Sequence, residues 1–225
     1  MRSRVAVVLI ALAAASAGTA ATVTPAQTLA SALAAARAQH SVHYVAVQSA
    51  GSRNVTIAGD AAGDRGIQRV TYRDNGKAGH VTVIVVANTA YVRGDAFTLE
   101  HYMGLPAATA AADAGKWLRL AHTSAGFATV AASVRLASTV SELAMPKPLT
   151  AVAATTVAGQ QVVGVRARFT VSGQKITETL FVRSSGTPLP VEQLSVTGSI
   201  AVRVLFSSWN EPVRLAAPAH SVPLS

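Results

Sequence analysis

The chain has 225 residues, of which 50% are hydrophobic, 13% charged and 5% aromatic; its formal charge is +9 and it has no cysteine. So much apolar mass with so little charge excludes a disordered chain, and Ala and Val rather than aromatic rings supply that mass. The missing thiol excludes disulfides, thiolate metal sites and cysteine nucleophiles, and the length suits one domain with a sizeable core.

Arg2 and Arg4 precede an unbroken apolar stretch from Val5 to Ala15, and the residues from Ser16 to Ala21 are small. This is the pattern of a secretory signal peptide, cleaved after Ala20 or Ala21, because the apolar stretch is too short to span a bilayer. The reading divides the chain into a signal peptide, 1–21, and a single exported domain, 22–225. Without a cysteine there is no acceptor for a lipid anchor, so the expected location is secreted or a periplasm-like cell-envelope space. Absence of disulfides favours a bacterial envelope over a eukaryotic exterior, and the excess of Arg over Lys with abundant Ala suits a GC-rich genome.

The first predicted element is a helix over 25–40. Thr24 supplies an N-cap, Pro25 suits the first helical position, and Gln27 completes a capping box. Leu29, Ala32, Leu33 and Ala36 share one face. From Val42 the period becomes two, predicting strands over 42–48, 53–59 and 67–73, with Asn75-Gly76 as a hairpin turn. Val81 to Ala87 is apolar on both faces and reads as a strand covered from both sides; 89–93 follows.

The segment 95–148 reads as a helical insert. Asp95 caps a short helix through Phe97 and Tyr102, Pro106 opens an Ala-rich turn, and 116–120 resembles a strand. The stretch 124–143 supplies one or two helices that end before Pro146 and Pro148. Strands then return with clean alternation, Val163, Val165, Ala167, Phe169 and Val171 on one face and Arg166, Arg168, Thr170 and Ser172 on the other. Further strands cover 175–183, 191–197 and 200–207. The total is about eleven strands, joined by short turns and hence antiparallel, in an α+β fold whose sheet can curl around helices at 25–40 and 124–144.

No nucleophile elbow, zinc-protease helix, phosphate loop or dinucleotide fingerprint occurs, so no catalytic residue and no cofactor are assigned and the chain reads as a non-enzyme. His40 and His43 are the one close histidine pair, but they straddle a helix-to-strand boundary and lack further ligands, so no metal site is assigned either. The arginines are dispersed along the chain, against a nucleic-acid partner; attraction to an anionic membrane surface or cell-wall polymer suits the charge better. From pattern alone, walls rich in Ala and Val leave two readings open, a hydrophobic cavity or a close-packed core.

Three strings carry a family resemblance: Tyr91-Val92-Arg93-Gly94, Lys116-Trp117-Leu118, and Phe206-Ser207-Ser208-Trp209-Asn210-Glu211-Pro212-Val213. With the order of helix, meander, central helices and return meander over residues 40–220, the chain resembles the LolA-like superfamily and its LprG/LppX-type actinobacterial envelope lipoproteins. It departs from them in lacking the lipidated cysteine. The resemblance implies a strongly curved antiparallel half-barrel, helices on its concave side, and a partner that is a lipid, glycolipid or acylated protein, carried by a monomer. A ligand-sensing or protein-interaction module on the same fold is the alternative, and a hydrolase the least favoured reading. If a cavity exists, its expected lining is Leu33, Tyr91, Phe97, Tyr102, Met103, Phe127, Val130, Phe169, Leu180 and Val204, drawn from the N-terminal helix, the insert and both meanders.

Overall fold

A computed structural model describes residues 23–224; the predicted signal peptide lies outside the described residues. Helix α1 (Pro25–Arg37) begins as its sequence dictates. The Thr24 hydroxyl accepts the Gln27 backbone N–H while the Gln27 side chain accepts the Thr24 N–H, and Pro25 occupies the first turn. It ends three residues before the expected His40, at a cap on Ala38.

Strands β1 (Ser41–Ala50), β2 (Arg53–Ala62), β3 (Arg65–Asp74), β4 (Lys77–Val86) and β5 (Thr89–Gly94) form an antiparallel meander. The Asn75-Gly76 turn has positive φ at both residues, 49° and 78°, as a tight two-residue hairpin requires. The insert contributes α2 (Ala96–His101), α3 (Ala107–Asp113), β6 (Leu118–Ala121), α4 (Phe127–Ala132) and α5 (Leu136–Ser141), so the stretch 124–143 forms two short helices. The second meander comprises β7 (Leu149–Val157), β8 (Gln160–Val171), β9 (Gln174–Arg183), β10 (Pro190–Thr197) and β11 (Ile200–Ser207), and a two-residue strand, β12 (Val222–Pro223), follows the exit.

All twelve strands join one open, curved sheet in the order β12-β6-β5-β4-β3-β2-β1-β11-β10-β9-β8-β7. Every pairing is antiparallel except β12 on β6. β7 and β12 escape the sequence reading. β7 is Ala- and Thr-rich and mostly exposed at the sheet edge, so it shows little alternation, and β12 exists only because the tail reaches β6.

The two meanders meet at β1 and β11, with Tyr44 opposite Phe206. The exit after β11 is bolted there. Trp209 packs on Phe206 at 6.2 Å between ring centroids and donates its indole N–H to the Pro190 carbonyl; the Asn210 side chain accepts the His40 backbone N–H and donates to Gln39. His43 pairs instead with Asp60 across β1–β2, at 2.7 Å.

Because β6 lies near one end of the sheet and β7 at the other, the chain between them crosses the whole concave face carrying α4 and α5. Its middle, Ser133–Arg135, docks against bare backbone. The Tyr44 hydroxyl donates to the Ser133 carbonyl at 2.9 Å, with the Tyr44 ring lying over Gly59, and Arg135 makes a parallel bridge with Ala62. Gly66 sits under Val134, where a Cβ would overlap the Val134 carbonyl oxygen and come within 2.8 Å of its Cβ.

Helices lie on the concave side only, which corrects the reading of 81–87 as covered on both faces. Val81, Val83 and Val85 are buried, whereas Thr82, Ile84 and Val86 are half-buried. On the convex side, register places Ile84 between Ile67 and Tyr91, and these shield one another laterally.

Gly66→Ala is expected to lower stability by about 1–3 kcal/mol, since neither a carbonyl nor a β-branched side chain can yield cheaply. At about 2–4 °C per kcal/mol this is a readable drop in melting temperature. Gly63→Ala, where an added Cβ meets nothing within 4 Å, is the matched control and should melt near wild type. Equal melting temperatures for the two variants would contradict the docking of Val134 on β3.

Candidate functional site

The crossing segment divides the concave face into two apolar clusters. One surrounds α1 and α5, where Leu29, Ala32 and Ala36 meet Leu136, Val140 and Leu143 above the inner residues of β1, β8, β9 and β11. The other surrounds α2, α3 and α4 above β3 to β6.

The second cluster is not filled. It borders a half-open cavity of about 600 Å³, within the range of small-molecule and cofactor sites. Its floor is the inner face of the sheet: Gln68 of β3, Val83 of β4, Val92 of β5, and Leu118 and Leu120 of β6. Its walls are Leu99 of α2 with Tyr102, Met103 and Leu105 after it, and Ala125, Gly126, Thr129, Val130 and Ser133 in and beside α4. Leu224, from the tail that pairs with β6, closes one side.

Alternation along each strand produces this floor. The register aligns Gln68 with Val83, Val83 with Val92, and Val92 with Leu118, one row across four strands. Gln68 is the polar member of that row. It is buried and lines the cavity, and its side chain makes no hydrogen bond to another described residue. Tyr102 brings the second polar group, a phenol that burial pushes up from its ordinary pKa.

The wall above the floor is hung from Asp95. Its carboxylate caps α2 by accepting the Thr98 N–H at 2.8 Å, and also accepts the His80 N–H from β4 at 2.5 Å; the Thr98 hydroxyl donates to the His80 carbonyl. Partial burial opposes ionisation of Asp95, but the hydrogen bonds from His80 and Thr98 outweigh it and hold the carboxyl below the usual range. Phe97 and Tyr102 then pack with tilted rings against Tyr72 of β3, at 5.5 and 5.9 Å between centroids.

The ten residues expected from sequence fall into four places. Tyr102, Met103 and Val130 line the cavity. Phe97 and Phe127 belong to the packed shell around it, Phe127 being buried beneath α4. Leu33, Phe169, Leu180 and Val204 lie across the divide in the α1/α5 cluster, where Leu180 is fully buried. Tyr91 is a correction: its partners Ile84 and Arg119 place it on the convex face, because counting from Val92 inverts its side in a strand of period two.

Residues missing from that expectation include Val83, Val92, Leu118 and Leu120, all legible as alternating apolar positions, and Gln68, which shares a face with Val70 and Tyr72. Leu224 had no signal, since only the folded tail brings it near β6.

The α1/α5 half is polar at one end. Gln193 donates to Glu178 at 2.6 Å and to the Glu142 carbonyl at 3.1 Å. Burial pushes both carboxyls up, with the Gln193 hydrogen bond opposing the rise at Glu178. Burial, reinforced by the nearby Glu142, also raises the Tyr44 phenol, which stays protonated and donates to Ser133.

Among solved structures, LprF from Mycobacterium bovis superposes with a TM-score of 0.60 at 15% identity, covering 87% of this chain and 97% of its own. The Mycobacterium tuberculosis lipoprotein LppX gives 0.55 at 15% identity, with 85% and 98% covered. The fold is LolA-like. The resemblance carried by the three sequence strings therefore holds at the level of fold, and the α+β half-barrel is the architecture that these two structures share with the chain. No family model and no curated sequence matches the chain.

Asp95→Ala is expected to lower stability by about 1 kcal/mol at neutral pH, the usual cost of a lost N-cap. The folded carboxyl sits below its unfolded value of roughly 3.9, so its stabilisation is complete above that value and fades as pH falls through the folded one. Melting curves of wild type and Asp95→Ala should therefore converge below about pH 4. A gap that widened in acid would contradict the assignment.

Proposed function

We propose that the protein is an exported, non-enzymatic carrier or binding protein for a hydrophobic ligand, the acyl chains of a lipid, glycolipid or acylated protein, in the bacterial cell envelope. The observation that carries this reading is the cavity of about 600 Å³ between the insert and the inner face of β3 to β6, with apolar walls and few polar groups. Burying an acyl chain yields about 0.8 kcal/mol per CH₂, so some sixteen carbons give roughly 12 kcal/mol gross. Association and ordering cost about 4–15 kcal/mol, leaving a net affinity compatible with pick-up and release. Gln68 and Tyr102 are the groups that would hydrogen-bond an ester, carboxyl or amide at the head of such a chain and orient it.

Cavity lining and packed shell make different demands on a substitution. Val130→Asn places a polar group against the cavity, where water or ligand can meet it. Phe127→Asn buries one among packed side chains, costing about 3 kcal/mol or more. Val130→Asn should therefore lose most uptake of a fluorescent fatty acid such as cis-parinaric acid while melting near wild type. Phe127→Asn should lose melting temperature first. Native mass spectrometry of protein purified from its own host should find a copurifying lipid. Folded wild-type protein that neither carries lipid nor takes up the probe would overturn the reading.

A further inference from the structure

The wall of the cavity has a second side. Along β6, Leu118 and Leu120 face the cavity, so Trp117 and Arg119 face the convex surface. Continuing the β5–β6 register places Arg93 opposite Trp117, and its guanidinium stands 6.0 Å from the centre of the indole. Register also runs from Arg93 through Thr82 to Arg69, which is exposed on the same face. Folding thus gathers cations that the sequence scatters over fifty residues.

Arg93, Lys116, Trp117, Arg119 and His220 surround a shallow depression of about 610 Å³ beside the β6–β12 edge. Two acids lie near it. Asp113 is 3.4 Å from Lys116, and Asp95 is engaged by the His80 and Thr98 amides. Among the described residues, Arg69, Arg93 and Arg119 have no carboxylate within ion-pair distance.

We propose that this convex-side cluster of Arg93, Lys116, Trp117 and Arg119 is a docking surface for anionic lipid bilayers, set against the outer side of the strand that walls the cavity. The proposal rests on the lipid-binding reading above. Charge complementarity selects the occupant: the exposed Arg93 and Arg119, which have no ion-pair partner among the described residues, attract an anionic surface, and a half-buried indole among them has the apolar body and polar edge that suit the headgroup layer. Position supplies the second argument. A bilayer held against Trp117 and Arg119 lies one strand's thickness from Leu118 and Leu120, so ligand has only the β6–β12 edge and Leu224 to pass.

The test is co-sedimentation with phosphatidylcholine vesicles, with and without phosphatidylglycerol, beside parinaric acid uptake on the same preparations. Wild type should bind only the phosphatidylglycerol vesicles, and salt should release it. Arg93→Gln/Arg119→Gln should weaken binding about twenty-five-fold, since each cation at the surface is worth about five-fold. Arg37→Gln/Arg168→Gln removes the same net charge elsewhere and should keep most of the binding. Equal losses in the two double variants, or equal binding to neutral vesicles, would overturn the docking surface. Uptake without vesicle binding refutes the surface alone, and vesicle binding without uptake refutes the cavity reading alone.

Discussion

The chain must travel from β6, near one end of a twelve-strand sheet, to β7 at the other, and the concave face is the route it takes. That crossing is the constraint on which the rest depends. It forces α4 and α5 onto the inner face, and it needs a place where two backbones can approach more closely than side chains allow. Gly59 and Gly66 provide it. One leaves room for the Tyr44 ring, whose hydroxyl ties down Ser133; the other leaves room for Val134 itself.

Pinned there, the crossing segment acts as a partition. On the α1/α5 side, small residues such as Ala32 and Ala36 let the helix settle onto the sheet, and the space closes. On the α2–α4 side, the insert helices are too short to fill the concavity. They are hung from Asp95 at one end and from Tyr44 and Val134 at the other, and they pack on β4 and β5 with the cavity left beside them. An apolar void persists in a protein when the surrounding framework is held and relaxes only partially, and here the framework is held by hydrogen bonds and glycine contacts at its margins.

A strand of period two has two faces with separate duties, and β6 shows this most clearly. Its inner residues complete the cavity floor, while its outer ones join Arg93 in a cationic strip. The parallel addition of β12 covers the free backbone of β6 and brings Leu224 to the cavity margin. An apolar inner face and a charged outer one thus share one short element.

Much of the fold was legible because its signals are local. The capping box at Thr24, the change of period at Val42 and the Asn75-Gly76 turn depend on neighbours in sequence, and each forms as read; the alternation of β8 holds in its middle, while Val171 is exposed and Val162, on the other face, is buried. The LolA-like resemblance supplied the curvature that periodicity does not contain. The candidate site was legible only by halves. Tyr102, Met103 and Val130 lie at the cavity, but Leu33, Phe169, Leu180 and Val204 are equally apolar and pack on the far side of the partition. Nothing in an apolar residue's identity records which side of a crossing chain it will meet. Tyr91 fell on the wrong face through a one-residue phase, the error to which strands are most exposed. What the sequence determined by itself was the set of elements and the apolar character of the inner face, both products of short-range pattern. The partition, the void beside it, and the gathering of Arg69, Arg93 and Arg119 were decided by tertiary structure, because each depends on strand register and on where a long connection comes to rest.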